Sequence, residues 1–294
     1  MFQDELKVRI DSINQEIEEL LPKPRLYEDC LGDPLRYSMR GKGKRLRPLI
    51  LEETYKMYGG SENDGKYLGI ALEMIHNASL VHDDLPALDN DEFRRGIKTT
   101  HAEFGESIGI LAGDGLLNYA YEVATTGLVE SKTKDYYSKA LSILANKGGI
   151  FGMLGGQTLD VAMTGKELDL KMIKFIHKGK TAALIQAAFA CGACAAGASQ
   201  EEIEKLMEIG LSVGIAFQIE DDILDVTSTS EVLGKPVKND EKNHKTTYVT
   251  VKGVEGAKED VKHLSQKAIS VYDTLSAKND FLRELILYLI ERKK

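Results

Sequence analysis

The chain has 294 residues, 43% of them hydrophobic, with a formal net charge of −8 and only three cysteines. That is apolar material for one large core or two ordinary domains; the acidic balance excludes a nucleic-acid-binding surface, and three thiols imply no disulfide framework. The opening Met1-Phe2-Gln3-Asp4-Glu5-Leu6-Lys7 has neither the basic nor the apolar stretch of a secretory leader, so the expected compartment is the cytoplasm.

In chain order, Leu6, Ile10, Ile13, Ile17 and Leu20 recur at four- and three-residue spacing and predict an amphipathic first helix, stopped by Pro22 and Pro24. Gly41-Lys42-Gly43-Lys44-Arg45-Leu46-Arg47-Pro48 then sets four cations around two glycines in front of an apolar helix over 49–58. Glycine permits close backbone approach and the arginine fork matches phosphate oxygens, although a basic loop alone is usually solvated surface. Residues 67–81 read as a mostly buried helix, and 108–128, 140–154, 170–196 and 201–226 continue the helical pattern, with strand signals nearly absent. The most membrane-like stretch, 182–198, is rich in Gly and Ala, short, and interrupted by Gln186, which reads as a buried helix. Within it Cys191-Gly192-Ala193-Cys194 has redox or half-zinc spacing but no second pair, so these are packing residues where helices approach. Residues 227–245 form the one long polar stretch, read equally as a loop over a site or a plain surface loop. No linker divides the chain, and residues 1–294 are expected to form one domain.

Two aspartate clusters carry the chemistry. Asp83-Asp84-Leu85-Pro86-Ala87-Leu88-Asp89 follows one apolar run and Asp221-Asp222-Ile223-Leu224-Asp225 another. Like charges a few ångströms apart repel by roughly 4 kcal/mol at an intermediate dielectric, so a protein keeps such clusters where something cationic fills them. Hard oxygen ligands in small sets, with room for waters and phosphate oxygens, suit Mg²⁺. Asp221 and Asp225 share a helix face. Asp83 and Asp89 do not, but Pro86 predicts a helix end or kink near Leu85 that lets Asp89 swing back. One such cluster alone would also fit a solvated helix end or cap; two, each behind a buried helix, fit that poorly. Arg94-Arg95-Gly96 follows the first cluster, where bare cations would pair with carboxylates or bound phosphate. There is no GxxxxGK[ST] loop, no GxGxxG after a strand and no HExxH, and His82-Asp83 has no supporting histidine pairs for a phosphohydrolase site.

In these motifs the chain resembles the trans-isoprenyl diphosphate synthases, closest to the short-chain farnesyl and geranylgeranyl diphosphate synthases. The likeness runs through GKRLRP (43–48), EMIH (73–76), SLVHDDLPALDNDEFRRG (79–96), LAGD (111–114), GGQTLD (155–160), KTAALI (180–185), FQIEDDILD (217–225), LGK (233–235) and KTTY (245–248). It implies an all-α bundle around a deep central cavity, typically a homodimer. The implied substrates are isopentenyl diphosphate and an allylic diphosphate (dimethylallyl, geranyl or farnesyl), with three Mg²⁺ per active site and neither nucleic acid nor membrane insertion. By the same resemblance Asp83, Asp89 and Asp221 bind Mg²⁺ directly, while Asp84, Asp222 and Asp225 ligate or hold metal waters. Arg94, Lys180 and Lys235 grip the allylic diphosphate; Lys44, Arg47, His76 and Arg95 hold that of isopentenyl diphosphate. Thr181 and Gln218 face the reacting carbons, and Lys245 with Arg292-Lys293-Lys294 helps close the site. The catalytic set is thus Lys180, Thr181, Gln218 and Arg94.

Three positions depart from the family pattern. Lys42 replaces the first glycine of a GGK loop, and Gly115 stands where alanine is common. Ala78, followed by Ser79, occupies the position where bacterial farnesyl synthases carry an aromatic that floors the tail pocket. The small pair favours geranylgeranyl over farnesyl diphosphate as product, unless Met74 or a side chain within 108–121 blocks the path. The rival readings are a longer-chain synthase, a silent subunit of a heteromeric synthase, and a terpene cyclase. The silent subunit is disfavoured because no ligand is lost, the cyclase because the second motif is Asp-based and His76 and the basic loop are present.

Overall fold

The first helix, α1 (Phe2–Leu20), ends two residues before Pro22 and buries Leu6, Ile13 and Ile17. It belongs to a computed structural model that describes residues 2–24, 27, 29–41, 43–227 and 246–290. Helices α2 (Asp29–Arg40), α3 (Leu46–Met57) and α4 (Asp64–Asp83) follow. Helix α4 buries Leu68, Ile70, Ala71, Leu72, Met74 and Ile75 around most of its circumference, the mark of a central helix. It packs against α6 (Glu106–Glu130) on one side and α3 on another, with α7 (Lys134–Gly148) and α10 (Ala183–Ala195) closing round it. Every residue of α10 is buried, and α11 (Gln200–Thr227) lies along it.

The Gly/Ala-rich composition of α10 is what lets helices meet there. A Cβ on Gly192 would stand 2.3 Å from the Leu51 carbonyl oxygen of α3, so only glycine allows this crossing. Cys191 and Cys194 are buried beside it as free thiols, in agreement with packing residues. Burial raises both thiol pKa values, which leaves them inert. Gly115 of α6 sits against Leu31 and Leu35 of α2, again a packing position.

The helix expected over 140–154 is interrupted: α7 stops at Gly148 and α8 (Met153–Ala162) starts in a new direction. Gly149 and Gly152 make that corner, where the Gly152 N–H bonds to the Gly149 carbonyl. The 170–196 helix is continuous but not uniform, as α9 (Leu170–His177) passes through a π-helical turn (Lys178–Ala182) into α10. One small hairpin, β1 (Phe93–Arg94) with β2 (Ile97–Lys98), precedes the short α5 (Thr100–Phe104). Its turn residues Arg95 (φ 53°) and Gly96 (φ 82°) are both left-handed, the type I′ geometry of tight hairpins. Helices α12 (Tyr248–Lys252), α13 (Val254–Asp273) and α14 (Asp280–Ile290) complete the described chain, and α13 packs along α11. Lys42, Lys235, Lys245 and Arg292-Lys293-Lys294 lie outside the described residues, as does the polar stretch from residue 228 onward. Among the described residues no helix is long and apolar enough to cross a membrane.

Candidate active site

Helices α4 and α11 end beside one cavity of about 690 Å³, walled also by the segment before α3, by α8, by the π-helical turn and by α14. The apolar faces that bury α4 and α11 therefore also aim their terminal carboxylates at a common space. Asp83 and Asp221 both line it, from opposite helices. Helix α4 stops at Asp83, as Pro86 requires, and the chain doubles back so that the Asp89 N–H donates to the Asp83 carbonyl at 2.9 Å. This brings Asp89 back beside Asp83, exposed and outside the cavity lining.

The site is electrostatically unfavourable as it stands. Asp83 sits at the C-terminus of α4, the negative end of the helix dipole. Burial, and then the charges of Asp89 and Asp84, push its carboxyl up to about 6 against the pull of Lys180 and Arg94. Burial raises Asp84 as well, although Arg94 holds it through Nε–H to Oδ1 at 2.7 Å. Cations near these oxygens would relieve both. Among the described residues no three carboxylate, imidazole or thiol groups converge as a ready-made cage. An all-oxygen, under-coordinated pair of facing carboxylates fits Mg²⁺, which keeps waters and takes phosphate oxygens as its remaining ligands.

The opposite pole is basic. Lys44, Arg47, His76 and Arg95 line the cavity together with Glu73. Burial lowers the pKa of Arg47 and of Arg95, and Arg47 Nε–H is buried without a hydrogen-bond partner. Burial, and then the flanking Arg47, Arg95, Arg94 and Arg45, hold His76 well below its ordinary 6.5, so the ring is neutral near pH 7. Desolvated cations and an orphan N–H form a receptor for an anion. Arg45 also lines the cavity, but it is 3% exposed and its donors are taken by Glu73 Oε1 at 2.9 Å, Asn14 Oδ1 at 3.0 Å, and the carbonyls of Met39 and Gly41.

Between the poles lie Lys180, Thr181 and Gln218. Lys180 is presented by the π-helical turn, which reaches α8 only because Gly156 faces it; a Cβ there would meet the Lys180 backbone nitrogen at 2.1 Å. Its ammonium bonds Asp160 Oδ2 at 2.8 Å. Thr181 Oγ1 donates to Gln218 Oε1 at 2.7 Å, and Gln218 Nε2 donates to Asp222 Oδ1 at 3.3 Å. With its proton spent on Gln218, the Thr181 hydroxyl has lone pairs to offer a developing cation.

Not every residue singled out from sequence reaches the cavity wall. Asp222 turns away and accepts the Tyr248 N–H at 2.9 Å, anchoring α12. Asp225 is buried one turn further on, outside the wall. Arg94 faces a separate small pocket with Asp84. Ala78 is 2% exposed in the core, whereas its neighbour Ser79 lines the cavity. Conversely, Gln157 has no role in the sequence reading, yet its Nε2 donates to Asp83 Oδ1 at 2.7 Å. Gln157 and Asp160 stand three apart in GGQTLD and so share a face of α8, and Glu73 precedes His76 by the same step; that spacing was the available signal. Met153, Phe217 and Tyr288 supply apolar wall.

Residues 28–285 match the polyprenyl synthetase family model. The chain is 41% identical to a farnesyl diphosphate synthase of Micrococcus luteus over 100% of both chains. It is 39% identical to a geranylgeranyl diphosphate synthase of Cyanophora paradoxa, covering 86% of this chain and 89% of that one. Among solved structures, geranylgeranyl pyrophosphate synthetase from Pyrococcus horikoshii superposes with TM-score 0.89 at 28% identity, over 99% of this chain and 98% of that one. A Helicobacter pylori geranyltransferase complexed with magnesium and isoprenyl diphosphate gives 0.84 at 30% identity, over 98% and 95%.

Proposed function

The chain belongs to the polyprenyl synthetase family, and from that premise we propose that it is a short-chain trans-prenyltransferase that condenses isopentenyl diphosphate head-to-tail with allylic diphosphates. The observation that carries this reading is one cavity with two facing carboxylates at one pole and desolvated cations at the other. It has room for two diphosphates in opposite electrostatic settings, one reached through metal and one held directly.

Asp83, Asp89 and Asp221 would hold Mg²⁺, three ions per site, with Asp84 and Asp225 supporting. Bound there, magnesium supplies the positive charge that makes diphosphate a leaving group. Lys180 and Arg94, with Lys235, take up charge on the departing allylic diphosphate, which leaves with the electron pair of the C–O bond. Lys44, Arg47, neutral His76 and Arg95 hold isopentenyl diphosphate so that its double bond faces the allylic carbon, and that π pair becomes the new C–C bond. Thr181 and Gln218 present oxygen to the positive charge. The proton lost from the adjacent carbon goes to an oxygen of the departed diphosphate, so no protein nucleophile is needed. The apolar wall of Met153 and Phe217 excludes water from the cation.

For the product we favour geranylgeranyl diphosphate, supported by Ala78 and Ser79, neither of which brings a large side chain toward the tail. We also take residues 1–294 as one cytoplasmic domain acting as a homodimer, supported by Ile110, Leu111 and Leu117, exposed on α6. Purified protein incubated with Mg²⁺, isopentenyl diphosphate and each allylic diphosphate in turn, with products identified by mass spectrometry, tests the reading. Geranylgeranyl diphosphate supports class and product alike. Farnesyl diphosphate as end product keeps the class and rejects the Ala78 argument, and no product with any starter rejects the enzyme.

A further inference from the structure

Helix α1 and the last turn of α14 lie outside residues 28–285, the span of the matching family model, yet α1 touches two residues of the cavity wall, one of them on that turn. Asn14, on α1, accepts the Arg45 Nε–H at 3.0 Å. Arg45 lines the cavity, but its guanidinium is held by acceptors of the protein itself. Its remaining donors bind Glu73 and the carbonyls of Met39 and Gly41, so it ties down the backbone that carries Lys44 and Arg47 on either side. Arg45 also holds a left-handed backbone, φ 47°, as the residue that starts α3, a conformation that needs such surroundings to persist. At its other end α1 places Phe2 against Tyr288, ring centroids 5.6 Å apart, and against Phe281 at 5.3 Å. Tyr288 lines the cavity. Arg9 stacks over Phe281 at 4.0 Å and bonds Glu53 of α3 at 3.2 Å, fixing the angle at which α1, α3 and α14 meet.

We infer that α1 is a positioning element for the isopentenyl diphosphate half of the site, acting through Asn14 on Arg45 and through Phe2 on Tyr288. The two contacts stand twelve residues apart on one helix, roughly 18 Å. Neither Asn14 nor Phe2 lines the cavity, and neither is a catalytic residue. Both act on residues that line the cavity together with the cations that receive the homoallylic diphosphate. The carboxylate pole is built from α4 and α11, so the allylic half-site is not addressed. The inference rests on the assignment of Lys44 and Arg47 to isopentenyl diphosphate.

The test is steady-state kinetics of the full chain with each substrate varied separately, alongside calorimetry of isopentenyl diphosphate alone. Asn14→Leu keeps the size and removes the acceptor, leaving a buried Arg45 N–H unpaired. It is expected to raise KM and Kd for isopentenyl diphosphate about tenfold while KM for the allylic diphosphate moves by less than about twofold. Asn14→Asp, which keeps an oxygen, should behave as wild type. Should Asn14→Leu not fold, Phe2→Ala carries the same expectation from the far end of the helix. Equal rises in both KM values, or a lowered Tm with both unchanged, would reduce α1 to a structural helix and overturn the inference. Absence of turnover by wild-type protein would overturn the enzyme reading instead, and the calorimetric comparison would still decide the role of Asn14.

Discussion

Glu52 of α3 is 9% exposed and faces Glu16 of α1; with both ionised, Glu52 Oε1 and Glu16 Oε2 have no donor, and a proton held between the two carboxyls supplies one. Burial first, and then the Glu16 charge, push Glu52 up to about 8 from its ordinary 4.5. Between those values the folded chain keeps a proton that the unfolded chain has lost. Unfolding releases it, so stability falls as pH rises through this window and levels off above about 8. The full shift, at about 1.4 kcal/mol per pH unit, sets a ceiling near 5 kcal/mol. Lys56, 3.5 Å from Glu52 and more than half exposed, can follow the new charge, which leaves an effect on the order of 2–3 kcal/mol. Glu52→Gln cannot ionise and keeps the shape. Its Tm relative to wild type should therefore climb by about 3–5 °C between about pH 5 and about pH 8.5, given the unfolding entropy of a chain this size. Scanning calorimetry or circular dichroism melts across that range make the measurement. Two Tm curves that run parallel in pH would mean that Glu16 and Glu52 share no proton. Because α1 carries Asn14 and Phe2, the same alkaline loosening should raise the KM for isopentenyl diphosphate in wild type more than in Glu52→Gln.

Asp83→Ala or Asp221→Ala is expected to abolish turnover with an unchanged far-ultraviolet circular dichroism spectrum, and Mg²⁺-dependent activity surviving in either variant would remove that residue from the metal set. Gln157→Leu takes away the 2.7 Å bond that orients Asp83; the half-saturating Mg²⁺ concentration should rise by about 10- to 100-fold, and an unmoved Mg²⁺ titration would contradict the positioning role. Ala78→Tyr should shorten the product by at least one isoprene unit, read by mass spectrometry, whereas an unchanged product would put the floor elsewhere. Because Ala78 is packed in the core, that variant should also melt lower, in line with the roughly 1–3 kcal/mol cost of overpacking.

What the sequence determined by itself is what local chemistry dictates. A 3.6-residue period writes α1 into the order of its apolar residues, and long apolar runs mark the more deeply buried α4 and α11. Pro86 ends α4 at Asp83 by steric exclusion within a few residues, so the return of Asp89 was legible before any tertiary contact. The two aspartate clusters and the basic loop were legible for the same reason, since their charge is costly unless something answers it. The tertiary structure alone decided which of these side chains meet. Lys44, Arg45 and Arg47 read alike in a string and all line the cavity, but the Arg45 guanidinium is held by Asn14 and Glu73 from other helices, whereas Arg47 keeps a buried Nε–H without a partner. Asp221 and Asp222 are likewise adjacent, yet one lines the site and the other anchors α12. The π-helical turn under Lys180 takes its place by close approach to α8 at Gly156. Nothing in the local pattern marks Gln157 as the partner of Asp83, seventy-four residues earlier. A side chain's direction follows from its own helix, but its partner is set by the angle and register at which a second helix arrives, and those are properties of the packed whole.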